Sequence, residues 1–179
     1  MIKLIGDKSV FAIEYDLIEV EDKYYYGYIW FWIEGKRIGA NYDATHVVPY
    51  LSSSVSYMKE FVGLKENRRF LGSEEIPAQY MFFILYERFY KSLSSNQKDY
   101  EDAGNFREIF SLESVGQESF FDTVQMVMID EPSAKRQRFL WKLYDDDKLE
   151  EFFIPHGHFE EVAFSYINQI ENDVADWIA

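Results

Sequence analysis

The alternation of apolar and polar positions predicts β-strands in the opening part of the chain. Residues 11–18 carry larger apolar side chains at every second position, the period of a strand with one face in water. A second run, 24–33, is apolar on both faces, so we predict that this strand is central and covered on both sides. Glu34-Gly35-Lys36 predicts a tight turn into a short strand at 37–39. Residues 8–39 are therefore predicted to form an antiparallel meander.

Apolar residues elsewhere recur at steps of three and four, which is the period of an α-helix. This pattern predicts helices near 46–63, 77–94 and 158–172. The second of them is apolar over most of its circumference, which is typical of a helix buried in a core. We therefore expect it to cover the sheet formed by the first strands. Trp177 and Ile178 are expected to dock the C-terminus.

The second half of the chain returns to the strand pattern. The polar stretch 94–105 predicts an internal linker, because it ends in Gly-Asn and lacks an apolar period. Antiparallel strands are predicted between 106 and 154, separated by turns at 130–133 and 145–148. The expected fold is a single α+β domain over 1–179, with antiparallel meander sheets and about three helices packed on them.

The charge of the chain limits the kinds of partner it can have. The chain contains 32 acidic and 18 basic residues, a net charge of −14, and 19% of it is aromatic. Disordered acidic chains lack aromatic residues, so this composition predicts a folded protein with a negative potential. Such a field repels nucleic acids and anionic membranes, which we exclude as partners, and speeds the approach of basic proteins. A second interpretation, that the acidic residues only keep the protein soluble, stays open.

Three further features predict a cytoplasmic protein. The chain has no cysteine, which excludes disulfides and thiolate metal sites and fits a reducing compartment. The residues before Gly6 are too few to form the apolar core of a signal peptide. The longest uninterrupted apolar run, 80–86, is far shorter than the ~20 residues that a membrane-spanning helix needs.

The histidines are the natural candidates for chemistry. His156 and His158, next to Glu160 and Glu161 and with a distant His46, offer imidazole and carboxylate ligands for a metal ion. This spacing is weak evidence, and a strand-to-helix corner explains the segment better. The chain also lacks a nucleophile elbow, a phosphate-binding loop and a calcium loop. We therefore predict no catalytic residue, no metal and no cofactor.

The acidic residues are concentrated in the second half of the chain. Residues 143–179 contain ten acids with Lys148 as their only base, and 99–131 contain nine acids with only Arg107. We expect them on turns and outer faces, where they suit the docking of a basic protein. The basic segment 135–138 is predicted to be a solvated turn or a partner of nearby acids. The predicted docking residues are Asp99, Glu101, Asp102, Tyr144, Asp145, Asp146, Asp147, Glu150 and Glu151.

Three segments carry a resemblance to a known family. They read FAIEY at 11–15, GYIWFWIEGKRIG at 27–39 and FIPHGHFEEV at 153–162. Together they resemble the bacterial immunity protein 42 family of polymorphic toxin systems, over nearly the whole chain. The motifs are structural, so the resemblance carries over no catalytic residue. It implies a small cytoplasmic protein, encoded beside a toxin that it neutralises by direct binding.

These observations leave three hypotheses. The leading one is a non-catalytic immunity protein that binds and occludes a basic toxin domain, with a nuclease among the candidates, as a monomer or a homodimer. The second is a small metal-dependent hydrolase using His156, His158 and Glu160 or Glu161. The third is a homomeric scaffold that associates through its aromatic surface. Rescue from a neighbouring toxin, bound zinc or manganese, and dimerisation without a toxin would distinguish them.

Overall fold

A computed structural model shows two antiparallel sheets and four helices in the residues that it describes, namely 2–39, 50–70, 72–89, 97–112, 124–144 and 146–178. The predicted α+β class with antiparallel sheets is confirmed. Sheet A has four strands in chain order: β1 (Ile2–Asp7), β2 (Phe11–Glu21), β3 (Tyr24–Ile33) and β4 (Lys36–Ile38). Sheet B has three: β5 (Val124–Glu131), β6 (Arg136–Leu143) and β7 (Glu150–Pro155).

The hairpin turns lie between the predicted strands, although the turn predicted at 130–133 begins only at Pro132, because Asp130 and Glu131 still belong to β5. Asp22 connects β2 to β3 with a positive φ of 53°, and Gly35 connects β3 to β4 at φ 78°. In sheet B, Pro132–Ala134 form one turn of 3₁₀-helix between β5 and β6. Strand β1 is an additional edge strand that the pattern did not predict. Asp173 fastens this edge to the last helix, since it accepts hydrogen bonds from Lys3 at 2.5 Å and Tyr15 at 2.6 Å.

The helices largely follow the predicted periods. Helix α1 spans Leu51–Gly63, helix α2 spans Ala78–Phe82 and continues as a π-helical turn at Phe83–Glu87, and helix α4 spans His158–Ile178. The parts of the predicted helices at 46–49 and 90–94 lie outside the described residues. Helix α4 runs beyond its predicted end. Trp177 and Ile178 are exposed, so their predicted docking is wrong.

The predicted linker is largely a helix. Helix α3 spans Gln97–Phe110, whereas 94–96 lie outside the described residues. The first half of α3 is mostly polar, so it has the composition of a linker. Phe106 and Phe110 both lie against Phe70, at 6.2 and 6.3 Å between ring centroids. Residues 106–110 are therefore helical, and the first described strand after them is β5, which begins at Val124.

The main hydrophobic core lies between sheets A and B and helices α1 and α4. The inner face of sheet A, which carries Phe11, Ile13 and Phe31, contributes fully buried side chains to it. The ring of Phe11 lies 5.4 Å from that of Phe159 in α4 and 5.8 Å from that of Phe139 in sheet B. Aromatic pairs of this kind add about 0.5–1.5 kcal/mol each beyond the burial of their area.

A second core fills the space between the opposite face of sheet B and helices α2 and α3. Its buried residues are Met81, Phe82, Leu85, Tyr86, Phe110, Val127, Ile129 and Leu140. The expectation that the apolar helix covers the first sheet is therefore wrong, because α2 packs on sheet B. The strand covered on both faces is β5. Strand β3 is central in sheet A, as predicted, but its outer face is partly exposed: Trp30 is buried, Trp32 is half-buried and Tyr24 is 45% exposed.

Candidate functional site

A buried charge network joins three parts of the fold. Arg68, in the 3₁₀ turn Lys65–Arg68 after α1, is fully buried. Its Nη2 donates to Glu160 Oε1 in α4 at 2.7 Å, and its Nη1 donates to the carbonyl oxygen of Phe61. Its Nε lies 3.5 Å from Asp130 Oδ2 at the end of β5. The buried guanidinium is thus matched by two carboxylates. A charge removed from solvent needs such partners, because they offset the cost of its desolvation.

Gln137 completes the network. Its side-chain nitrogen donates to Asp130 Oδ1 at 2.8 Å and to Glu160 Oε2 at 2.7 Å, and its side-chain oxygen accepts from the Phe159 backbone N–H at 3.0 Å. Burial lowers the pKa of Arg68, although both carboxylates oppose that change. Burial likewise raises the pKa of Asp130, against the hydrogen bond from Gln137 and the charge of Arg68. The network fixes the corner where β7 turns into α4.

The histidines do not form one site at this corner. His156 Nε2 lies 3.7 Å from Asp130 Oδ1, whereas His158 Nδ1 lies 3.6 Å from Glu161 Oε2. Glu160 is engaged by Arg68 and is not shared with either histidine. Across the residues that the structure describes, no three histidine, aspartate or glutamate side chains are grouped to hold a metal ion. The second hypothesis, a metal-dependent hydrolase, therefore gains no support. His46 lies outside those residues.

The basic segment 135–138 pairs with nearby acids, which is one of the two predicted roles. Arg138 Nε donates to Glu151 Oε1 at 2.7 Å, and Arg136 Nε donates to Glu131 Oε2 at 2.6 Å. Asp130, Glu131 and Glu160 are all buried. The expectation that the acids of the second half lie on turns and outer faces is wrong for these three, because buried arginines or Gln137 hold them inside.

The predicted docking residues after β6 are mostly exposed. Tyr144 is 66% exposed, and Asp146 and Asp147 are exposed in the turn before β7. Asp145 lies outside the described residues. Glu150 pairs with Lys148 and lies 3.8 Å from Lys36, while Glu151 is held by Arg138. The hydrogen bond from Lys148 lowers the pKa of Glu150. Among the described residues of the turn, Asp146 and Asp147 form no ion pair, although Asp146 Oδ1 accepts a hydrogen bond from the Lys148 backbone N–H at 2.9 Å.

The other predicted docking residues lie in α3, where Glu101 and Asp102 are exposed. Asp99 belongs to the same helix. A residue near each acidic segment contacts the chain that follows α2. Lys142, just before the acidic turn, donates to Glu87 at 2.7 Å, and a Cβ atom at Gly104 in α3 would lie 3.7 Å from the ring of Phe89. We define the acidic surface as Glu101, Asp102, Asp146 and Asp147.

A tyrosine cluster (Tyr24, Tyr26 and Tyr50) is a second surface feature, which was not predicted as a site. Its ring centroids lie 5.8 Å apart for Tyr24 and Tyr50 and 4.8 Å apart for Tyr26 and Tyr50. Tyr24 and Tyr50 are each 45% exposed. The sequence signal was present as aromatic residues at alternate positions of β3, but aromatic residues in strands are more commonly part of a core.

One of the comparisons with known proteins gives a match. No helix in the described ranges is long and apolar enough to cross a membrane. No curated protein and no solved structure matches the chain. A family profile described as Immunity protein 42 matches residues 1–169, nearly the whole chain. The resemblance seen in the sequence is therefore confirmed, and the chain belongs to the immunity protein 42 family.

Proposed function

We propose that this protein neutralises a toxin domain by binding it directly and occluding its active surface, without chemistry of its own. Membership of an immunity protein family implies a toxin as partner. We further propose that the toxin domain is basic, with a nuclease among the candidates, and that the protein acts in the cytoplasm. The observation that carries the proposal is the contrast between cations held in internal pairs and carboxylates that face solvent.

Many cations of the chain are already paired with its own carboxylates. They are Lys3, Lys8, Lys59, Lys65, Arg68, Arg69, Arg136, Arg138, Lys142 and Lys148. Since the net charge is −14, this pairing leaves an excess of carboxylates for the surface. A negative surface attracts a basic toxin domain at long range and disfavours binding to nucleic acid.

The acidic surface has the properties of a steering element. Its carboxylates are exposed, and we propose that they act together on an approaching cationic domain. Charges of this kind mainly raise the association rate, whereas desolvated pairs at the centre of an interface slow dissociation. The acidic surface is therefore proposed to bring the toxin to the protein, and closer contacts are needed to hold it there.

Co-expression tests the proposed function. The toxin domain encoded beside this protein is induced in bacteria with or without this chain, and growth is measured. The proposal expects growth to be restored, and a complex of the two proteins to be recovered by affinity purification. Growth that is not restored when this chain is abundant and folded would contradict the proposal.

Reversing the charge of the acidic turn should slow binding without unfolding the protein. We expect D146K/D147K to lower the association rate with the toxin domain by about tenfold at low salt, because steering charges act on the rate of encounter. Including D145K should deepen the effect. The melting temperature should stay nearly unchanged, since Asp146 and Asp147 are exposed. Stopped-flow association at several salt concentrations measures the association rate. The rate of the variant should depend less on salt than that of wild type.

The matched control carries the same change of charge on α4. Both replaced side chains of E161K/D176K are exposed. The net charge changes by the same amount as in D146K/D147K, but at residues outside the acidic surface. An association rate that is equal for wild type and D146K/D147K at every salt concentration would contradict steering by the turn. An equal fall of the association rate in both variants would show that net charge alone is responsible. That result would also contradict steering by the turn.

A further inference from the structure

The outer face of sheet A carries a row of aromatic residues. Because side chains alternate along a strand, residues at even positions of β3 lie on the face opposite to Ile29, Phe31 and Ile33, although Tyr28 and Trp30 also pack against main-core residues. This outer aromatic row consists of Tyr24, Tyr26, Tyr28, Trp30 and Trp32. Register places carboxylates of β2 directly beside it: Glu14 opposite Trp30, Glu19 opposite Tyr26 and Glu21 opposite Tyr24. The row is therefore an alternation of π faces and negative charges.

At the tryptophan end, cations of the chain itself occupy this arrangement. Lys8 Nζ lies 3.7 Å from the ring centroid of Trp32 and 2.8 Å from Glu14 Oε2. The Arg37 guanidinium lies 5.0 Å from the ring centroid of Trp30 and 3.7 Å from Glu14 Oε1. Each cation thus contacts an aromatic face and a carboxylate together. This geometry combines cation–π attraction with ion pairing, which makes it a favourable place for a lysine or arginine.

The tyrosine end has the same components in an exposed form. Tyr26 and Tyr50 are hydrogen-bonded, and that bond raises the pKa of Tyr26, with smaller contributions from Glu21 and Glu19. Both glutamates are exposed. Within the described part of the chain, neither of them forms an ion pair. Lys23 Nζ approaches the ring of Tyr24 to 5.2 Å, which shows that a cation is accommodated over this ring.

We propose that the tyrosine cluster, together with Glu19 and Glu21, binds an arginine or lysine side chain of the toxin domain and anchors the complex. The inference rests on the proposed function and adds the anchoring contact to it. Exposed tyrosines with few rotatable bonds are enriched among the residues that dominate binding energy. The acidic surface then governs encounter, and the tyrosine cluster governs dissociation.

Charge favours the toxin over a second copy of this chain as the occupant. Two copies would each bring a net charge of −14, and Glu19 and Glu21 would add to their repulsion at this face. A basic partner gains from the same carboxylates. The exposed apolar residues Ile2 and Leu4 of the edge strand extend this outer face, since Ile2 lies opposite Asp16 and Leu4 opposite Glu14. They provide apolar area beside the anchor.

The test measures the affinity of purified toxin domain for two variants and a control. We expect Y24A/Y50A to weaken binding by at least about thirtyfold, mainly through faster dissociation. E19Q/E21Q keeps the shape of the surface and removes its charge, so we expect about a tenfold loss. The control is Y80A, because Tyr80 is 59% exposed in α2 and lies outside the cluster. Its affinity should equal that of wild type.

The outcomes separate this inference from the proposed function. If wild type does not bind the toxin domain, the proposed function fails. If wild type binds and both variants bind equally well, the inference alone is overturned. A wild type that is dimeric in solution, with a monomeric Y24A/Y50A of unchanged toxin affinity, would also overturn it in favour of a second copy. Melting temperatures verify that Y24A/Y50A is folded, and E19Q/E21Q tests the inference without removing a ring.

Discussion

Replacing Arg68 by methionine is expected to lower the free energy of unfolding by about 3–5 kcal/mol, the usual result of removing one partner from a buried ion network. The substitution leaves Asp130 and Glu160 buried without their cation, although Gln137 still donates to both. Urea denaturation of wild type and R68M measures the difference. The control is R69M, because the adjacent Arg69 is exposed and pairs only with nearby Glu66 among the described residues.

The loss of stability in R68M should grow as the pH rises from about 4 to neutral. Burial already raises the pKa of Asp130 in the wild type, and removal of Arg68 takes away a charge that lowers it. A carboxyl group whose pKa is higher in the folded state binds more protons there, so stability falls as pH rises above its unfolded pKa of about 3.9. R68M should therefore be closest to wild type near that pH and furthest from it at neutral pH.

The double variant R68M/D130N tests whether the two groups act as one network. Removing both charges should cost less than the sum of the single losses, because one of the two carboxylates that Arg68 compensates is then absent. A loss below about 1 kcal/mol for R68M, similar to that of a surface substitution, would contradict the account of the network. Additive losses in the double variant would also contradict it.

Replacing Gly27 by alanine is expected to lower the free energy of unfolding by about 3 kcal/mol, at the upper end of the range for overpacking. A Cβ atom at this position would lie 1.9 Å from the carbonyl oxygen of Asp16 and 2.6 Å from Leu51 Cδ1. The first of these is backbone, which cannot move without disturbing the pairing of β2 with β3. The loss should appear in thermal or urea unfolding.

Gly63 provides the control for this substitution. It lies at the end of α1, and a Cβ atom there would meet no other atom within 4 Å. G63A should therefore leave stability within about 0.5 kcal/mol of wild type or raise it slightly. A G27A protein as stable as G63A would show that the approach of β2 to Gly27 is not required by the fold.

The sequence predicted the elements whose own pattern is strong. The hairpin β2–β3, its turn at Asp22 and the periodic helix α4 follow from local alternation, and local alternation is what a single sequence displays. The sequence-based prediction failed where an element was short or where only part of it carried apolar residues. Strand β1 has few residues before Gly6 and was missed, and α3 resembled a linker because its first residues, 97–105, are mostly polar.

The site was less predictable, because burial of charge depends on distant partners. Arg68 and Arg69 are neighbours in one basic stretch, yet the first is fully buried and the second is exposed. Only the approach of Asp130 and Glu160, far along the chain, makes that difference. Likewise, β3 displayed apolar residues on both faces, and the pattern alone does not distinguish a covered face from an exposed aromatic row. The exposure of the acidic turn was easier to predict, because turns between strands lie at the surface.

The most direct test of the central claim is a titration of toxin activity with purified protein. The toxin domain is held well above the dissociation constant of the complex, and its residual activity is measured as this chain is added. Neutralisation by occlusion predicts a linear fall that ends at about one molar equivalent, with all the toxin in a complex. Complete inactivation by a small fraction of an equivalent, or full activity in the presence of excess protein, would contradict it.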